Sequence, residues 1–121
     1  MQLKVAKHPI DSDNIFLFHK TTNREVYDRA KKEVRDCDDV LLFNESGQIT
    51  ETTTANIFLE KKGSLLTPPI ECGLLPGTLR ASLLKKKEVI EKILTFDDLS
   101  IADNIFVGNS VRGLQRAKVI E

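Results

Sequence analysis

The sequence has 121 residues, which fits one domain. Hydrophobic residues make up 40% of it and charged residues 30%, so a core can form beneath a well-solvated surface. The 18 basic and 18 acidic side chains cancel, and this balance gives no electrostatic drive toward nucleic acid or an anionic membrane. We expect neither as a partner.

The composition also argues against a membrane-spanning or exported protein. No run of about 18 apolar residues occurs, and the N-terminus alternates apolar and polar residues instead of carrying the apolar stretch of a signal peptide. Cys37 and Cys72 are expected to be free thiols in a reducing cytoplasm. His8 and His19 have no ligand spacing with cysteines or carboxylates, so we predict no metal site.

The first half of the chain is typical of short strands and one helix. Alternating or apolar runs predict strands, and Asn23 suits the N-cap of a helix with a buried stripe of Val26, Ala30 and Val34. Gly47 lies where a hairpin turn needs a positive φ. The predicted strands are residues 3–6, 15–19, 39–43, 48–52 and 55–60, and the predicted helix is residues 23–36.

The second half continues with shorter elements. A helix is predicted to open at residues 75–78, and Thr95 with Asp98 resembles a capping pair for a further short helix ending near residue 102. Many short strands with about three helices predict an α+β (mixed α/β) fold with much antiparallel pairing. The remaining predicted strands are residues 64–67, 89–94, 105–108 and 118–120.

Lys20 ends an apolar, strand-like run and precedes residues typical of a turn and a helix. In that position the sheet holds the backbone while the side chain reaches past the sheet edge. Partial desolvation lowers the pKa of a lysine held in this way, and a neutral amine is a nucleophile toward aldehydes. Lys20 is therefore a candidate for cofactor chemistry. The alternative is a solvated lysine beside a turn.

Glu51 lies in a run of threonines, Thr50 to Thr54. Strand periodicity predicts Thr50, Thr52 and Thr54 on one face, and Glu51 with Thr53 on the other. A carboxylate surrounded by hydroxyl groups can stay ionised under partial burial because hydrogen bonds stabilise its charge. The alternative is an exposed glutamate among residues that favour strands.

Two turns could offer donors to an anion. Pro76 and Gly77 precede a predicted helix, whose first N–H groups are unpaired and favour negative charge, and Asn109 with Ser110 ends another predicted strand. Each is also explained by an ordinary junction or turn. Together, an aldehyde-reactive lysine, a carboxylate and two donor-rich turns are what pyridoxal phosphate needs for its aldehyde, pyridine nitrogen and phosphate.

Five motifs carry a family resemblance, and they occur in the family's order over nearly the whole chain: residues 16–29, 39–45, 50–56, 73–80 and 109–113. The sequence resembles the C-terminal large domain of the fold-type IV (class IV aminotransferase-like) pyridoxal-phosphate enzymes. Within that family it is most similar to aminodeoxychorismate lyase, in the form of the lyase-like domain fused behind component I of para-aminobenzoate synthase. The resemblance implies a barrel-like mixed sheet with about three helices, formed by residues 1–121.

The resemblance also implies site residues and a reaction. Lys20 is implied as the Schiff-base lysine that moves the Cα proton, Glu51 as the partner of the pyridine nitrogen, and Leu75 as packing on the cofactor ring. The backbone amides of Thr78 and Leu79 are implied to hold the phosphate, with help from Asn109 and Ser110. The implied reaction converts 4-amino-4-deoxychorismate to 4-aminobenzoate and pyruvate, a step in folate precursor synthesis.

Two departures from the family pattern leave alternatives open. Aminotransferases of this fold carry Lys-x-Gly-Gly-Asn-Tyr, whereas no glycine pair follows Lys20 here. This favours a lyase over a branched-chain or D-amino-acid aminotransferase. Only 19 residues precede Lys20, so we expect the family's smaller N-terminal domain to be absent from this chain. We therefore expect no activity from the chain alone. As a partner we expect either a second copy of the chain, in a homodimer, or the missing N-terminal part. The alternative function is a non-catalytic remnant of a para-aminobenzoate synthase fusion.

Overall fold

The computed structural model describes residues 1–13 and 25–120. Lys20 and the predicted strand at residues 15–19 lie outside the described residues. The strands are β1 (Gln2–Val5), β2 (Asp39–Phe43), β3 (Ile49–Thr52), β4 (Asn56–Lys61), β5 (Ser64–Thr67), β6 (Ile90–Glu91), β7 (Asn104–Asn109) and β8 (Gly113–Val119), and the helices are α1 (Glu25–Glu33), α2 (Thr78–Lys85) and α3 (Phe96–Ile101). The predicted α+β class with about three helices is confirmed within this part of the chain.

Six of the strands close into a ring. Strand β1 pairs in parallel with both β2 and β8. The pairs β2–β3, β3–β4, β4–β7 and β7–β8 are antiparallel and complete the circle. Strands β5 and β6 extend the sheet outward from β4. The result is the expected barrel-like mixed sheet.

Alternating side chains separate the inside of the ring from its outside, as strand geometry requires. Leu41, Ile57 and Leu59 point inward and are almost fully buried. On the outside, α1 covers β2 through Tyr27, with Val34 just beyond the end of the helix, and α2 covers β4 and β7. Helices α1 and α2 therefore lie on the outer face, where a site at a helix end can meet the sheet.

Local signals in the sequence set several boundaries correctly. Gly47 has φ 74°, as the predicted hairpin turn requires, and its N–H donates to the Asn44 carbonyl at 3.0 Å. Thr95 caps α3 and forms the predicted capping box with Asp98.

No described helix is long and apolar enough to cross a membrane. Within residues 1–13 and 25–120, no cluster of His, Cys, Asp and Glu could hold a metal ion.

The second half differs from the prediction in two places. The strand predicted at residues 89–94 shrinks to Ile90–Glu91 at the end of the sheet, where Ile90 and Ile93 are half-exposed. Strand β8 begins at Gly113, well before the predicted residue 118. Its charged residues, Arg116 and Lys118, face solvent and alternate with less exposed neighbours. Because of these charged residues, the first part of the strand was not predicted.

Candidate active site

Three paired residues form a row across the outer face of the ring. Glu51 of β3 pairs with Asn56 of β4, and Asn56 pairs with Gly108 of β7. Directly paired residues point to the same face of a sheet, and neighbouring strands lie about 4.8 Å apart. The row therefore spans about 10 Å and joins a carboxylate at one end to a glycine at the other.

Glu51 reaches this face through an irregular strand. The β2–β3 register shifts between the Leu41–Thr52 and Phe43–Ile49 pairs, as at a β-bulge, so simple alternation does not hold along β3. Glu51 is buried, and its Oε2 accepts a 2.9 Å hydrogen bond from the Tyr27 hydroxyl. A buried carboxylate with such donors can remain charged and can hold a protonated ring nitrogen.

Asn56 binds the loop that crosses the row. Its Nδ2 donates to the Leu75 carbonyl at 2.9 Å, and its Oδ1 accepts from the Gly77 N–H at 3.2 Å. A Cβ at Gly77 would lie 2.5 Å from the Asn56 Oδ1, so a larger residue would push the loop away. The N–H of Leu75 donates to Glu51 Oε1 at 3.4 Å. Leu75 therefore lies against the carboxylate, and its packing on the cofactor ring, which the resemblance implies, stays a prediction.

Helix α2 begins beside this loop with an open N-terminus. Gly77 is its N-cap, and no described side chain caps the helix. The first-turn amides, at Thr78 and Leu79, can therefore bind an anion at the positive end of the helix dipole. Arg80 anchors the first turn of α2 to the chain before it, since its Nη2 donates to the Pro68 carbonyl at 3.0 Å.

Gly108 lets the helix start approach the end of β7. A Cβ at Gly108 would lie 2.8 Å from Leu79 Cδ2 and 2.9 Å from Leu114 Cδ2. The absence of a side chain at Gly108 therefore lets the Leu79 and Leu114 side chains pack over this end of β7. Next to it stand Asn109 and Ser110, so the two predicted anion-binding turns meet in one place.

Asn109 organises its own turn. Its Oδ1 accepts from the N–H groups of Val111 at 3.1 Å and Arg112 at 2.9 Å, and its Nδ2 donates to the Thr54 carbonyl at 3.2 Å. Ser110 is exposed at the tip of this turn. Direct contact of either residue with a phosphate stays a prediction.

A buried carboxylate missing from the sequence-based site lies behind this turn. Asp39 is 2% exposed and accepts hydrogen bonds from the hydroxyls of Thr53 and Thr54 and the backbone N–H groups of Thr53 and Val40. Burial raises the pKa of Asp39, but the hydrogen bonds from Thr53, Thr54 and Val40 outweigh burial and lower its pKa from the ordinary value. Asp39 thereby holds the turn whose Thr54 carbonyl supports Asn109.

These contacts correct the expected surroundings of Glu51. The hydroxyls of Thr53 and Thr54, which we expected around Glu51, donate to Asp39 instead. Tyr27 is a second residue that the site prediction missed, although it was assigned to the predicted helix. The bulge in β3 and the contacts between Asp39 and the threonines depend on tertiary structure. The one local signal for a buried acceptor was an aspartate at the start of an apolar strand. The role of Lys20 stays a prediction, because Lys20 lies outside the described residues.

Sequence and structure comparisons show the family of this chain. The family model described as amino-transferase class IV matches residues 1–120. The chain belongs to the class IV aminotransferase family. A crystal structure from Mesorhizobium loti, provisionally titled an amino-acid aminotransferase, superimposes with a TM-score of 0.91 and 46% identity, covering 98% of this chain and 59% of that one.

Relatives within the class IV aminotransferase family carry two kinds of name. A Schizosaccharomyces pombe protein provisionally named aminodeoxychorismate lyase is 31% identical over 98% of this chain and 54% of its own length. A Thermotoga maritima protein provisionally named branched-chain-amino-acid aminotransferase is 33% identical over 78% of this chain and 37% of its own length. The chain thus spans between about a third and three fifths of the length of these relatives, and their names leave the reaction open between the two activities.

Proteins of this family depend on pyridoxal 5'-phosphate, and the described residues fit that cofactor. Glu51 would hold the protonated pyridine nitrogen of the cofactor, and Leu75 would pack on one apolar face of its ring. The uncapped start of α2 at Thr78 and Leu79 matches the phosphate. The observation that decides the fit is this donor set: the loop that begins at Leu75 joins the buried Glu51 carboxylate to the uncapped start of α2.

Proposed function

We propose that this chain forms the large-domain side of a pyridoxal-phosphate lyase site that converts 4-amino-4-deoxychorismate to 4-aminobenzoate and pyruvate. The observation that carries the proposal lies on one outer face of the sheet, where buried Glu51 contacts the Leu75 N–H and the uncapped start of α2 follows two residues later, at Gly77. We also propose that the protein works in folate precursor synthesis, in the context of a para-aminobenzoate synthase.

Each residue has a defined task under this proposal. Bound pyridoxal phosphate supplies a ring that withdraws electrons and stabilises negative charge at the substrate Cα. Glu51 keeps the proton on the ring nitrogen, and Tyr27 orients that carboxylate through its 2.9 Å hydrogen bond. The amides of Thr78 and Leu79 bind the phosphate, and Leu75 excludes water from one face of the ring.

Lys20 is proposed to take the proton from the substrate Cα. Loss of that proton, with cleavage of the bond to the enolpyruvyl oxygen, gives an aromatic ring and releases pyruvate, so the atoms of the substrate are divided between two products. A lysine suits this task because its amine can accept and return a proton when it is partly desolvated.

The lyase proposal competes with an aminotransferase on the same scaffold. The absence of a glycine pair after Lys20 supports the lyase. The relative named aminodeoxychorismate lyase also aligns with 98% of this chain, against 78% for the Thermotoga aminotransferase. The 46% identity to the Mesorhizobium protein titled an aminotransferase supports the alternative.

Product analysis separates the two activities. The natural protein that contains these residues is incubated with pyridoxal phosphate and 4-amino-4-deoxychorismate, and pyruvate is measured with lactate dehydrogenase. The lyase proposal expects pyruvate and 4-aminobenzoate in equal amounts, and no amino-group transfer from branched-chain or D-amino acids to 2-oxoglutarate. Keto-acid exchange without pyruvate release would support the aminotransferase instead.

Cofactor attachment is tested separately on the purified chain. We expect a visible absorbance band when pyridoxal phosphate is added, and borohydride to fix the cofactor on Lys20. Substitution of Lys20 by alanine should abolish the fixed adduct, whereas alanine at the exposed Lys32 should leave it unchanged. A stable adduct on another lysine would contradict the assignment of Lys20.

A further inference from the structure

The loop from Leu75 to Gly77 is held by two side chains of the sheet, and Asn56 makes two of the three hydrogen bonds. Asn56 donates to the Leu75 carbonyl at 2.9 Å and accepts from the Gly77 N–H at 3.2 Å. Glu51 accepts from the Leu75 N–H at 3.4 Å, so Leu75 is bound on both sides of its Cα. The position of this residue is therefore set by the row of paired residues in the sheet.

An asparagine is well suited to this bridge. Its side-chain amide carries a donor and an acceptor on one carbon, whereas an ionised aspartate could only accept and a leucine of similar size could do neither. Pro76, the middle residue of the loop, has no N–H, so the loop has fewer backbone donors with which to fix itself. Asn56 is 6% exposed and paired on both sides within the sheet, which makes it a rigid support.

We propose that Asn56 is a positioning residue for the cofactor. It acts through the loop: one hydrogen bond sets how closely Leu75 lies to the ring, and the other fixes Gly77, from which α2 starts. The cofactor need not touch Asn56. The inference rests on the cofactor assignment of the proposed function and is independent of the choice between lyase and aminotransferase.

The same strand pair offers a matched control. Asn104 of β7 pairs with Glu60 of β4 at the far end of this ladder, and its Nδ2 donates to Glu60 Oε1 at 2.6 Å. Asn56→Leu and Asn104→Leu make the same chemical change in partly or fully buried asparagines of one ladder. Only the first removes the support of the loop.

Two measurements on the purified chain test the proposal. Amide hydrogen exchange in the absence of cofactor should accelerate about tenfold or more at Leu75, Gly77 and Ala81 in Asn56→Leu, and stay within about twofold of the unmodified chain in Asn104→Leu. Titration with pyridoxal phosphate, followed by the visible band, should give a Kd about tenfold higher in Asn56→Leu and nearly unchanged in Asn104→Leu.

The outcomes separate this inference from the proposed function. Unchanged exchange at Leu75 and Gly77 in Asn56→Leu would overturn the inference, and so would an equal loss of cofactor affinity in both variants. If the unmodified chain develops no visible band at any concentration, the proposed function of this chain fails. The exchange measurement then still decides whether Asn56 fixes the loop.

Discussion

Replacing Asp39 with alanine should lower the free energy of unfolding more than replacing an exposed carboxylate with alanine. The Asp39 side chain is 2% exposed and accepts from two hydroxyls and from the backbone N–H groups of Val40 and Thr53. Removal of the carboxylate leaves these two buried N–H groups without this acceptor. A buried N–H group that loses an acceptor lowers the stability of the folded state.

The magnitude follows from those two donors. Each buried N–H that loses its acceptor costs about 1–3 kcal/mol, so Asp39→Ala should lower the free energy of unfolding by about 4 kcal/mol. A chain of 121 residues unfolds with an entropy of about 0.25 kcal/mol/K, and the loss corresponds to a fall in Tm of about 16 °C. Asp39→Asn keeps an oxygen acceptor and should lose about 1–2 kcal/mol.

Urea unfolding at pH 7 measures these differences, with Asp38→Ala as the control. Asp38 is the exposed neighbour, and its Oδ2 accepts a single 2.6 Å hydrogen bond from the Gln2 N–H. We expect the control to lose no more than about 1 kcal/mol. Equal losses for the two alanine variants would refute the reasoning from buried donors.

Acid titration of stability tests the charge of Asp39. Because its pKa in the folded protein is lowered, the ionised carboxylate contributes stability that is complete above the unfolded pKa of about 3.9. That contribution is lost as the pH falls through the lower folded pKa. The stability difference between the natural chain and Asp39→Asn should therefore shrink below about pH 4. A difference that stays constant down to pH 2 would show that the charge contributes nothing.

Three further substitutions probe the site and its supports. Gly108→Ala places a Cβ 2.8 Å from Leu79 Cδ2, and we expect a loss of about 1–2 kcal/mol in urea unfolding together with weaker pyridoxal phosphate binding, because Leu79 belongs to the start of α2; unchanged binding would mean that this packing does not set the position of the helix start. Tyr27→Phe removes a donor from Glu51 and should shift the visible band of the bound cofactor while costing about 1 kcal/mol, and a band identical to that of the natural chain would argue against a role in orienting the carboxylate. Arg80→Met should lower stability by about 2 kcal/mol in the same assay, since the side chain is buried and bonded to a backbone carbonyl; no loss would remove it as the anchor of α2.

Much of the architecture could be predicted from local signals. Asp39–Phe43 and Ser64–Thr67 were predicted with their observed limits, because apolar runs between clear turns leave little choice of strand boundary. The closure of six strands into a ring could not be derived from periodicity, since pairings such as β1–β8 join residues more than 110 positions apart. The family resemblance supplied that part.

The site divides in the same way. The sequence identified Glu51 and the start of α2, whose residue types suit an anion or a ring nitrogen by themselves. It did not reveal Asn56 or Asp39 as supports, because their importance lies in what they contact: a loop about 20 residues further along and a turn 14 residues away. Polar residues inside predicted strands are ambiguous until the neighbouring strand is known.

Closure of the ring at β3–β4 also has a consequence for refolding. This junction rests on the Glu51–Asn56 pair and a tight connection in which the Thr52 N–H donates to the Ala55 carbonyl at 2.9 Å. A slip of one residue there would turn the carboxylate away from Leu75 and the start of α2. Only chains that renature in the correct alignment could take up the cofactor and turn yellow. Colour would then count the correctly closed molecules in a refolded sample, which bulk helix or strand content cannot do.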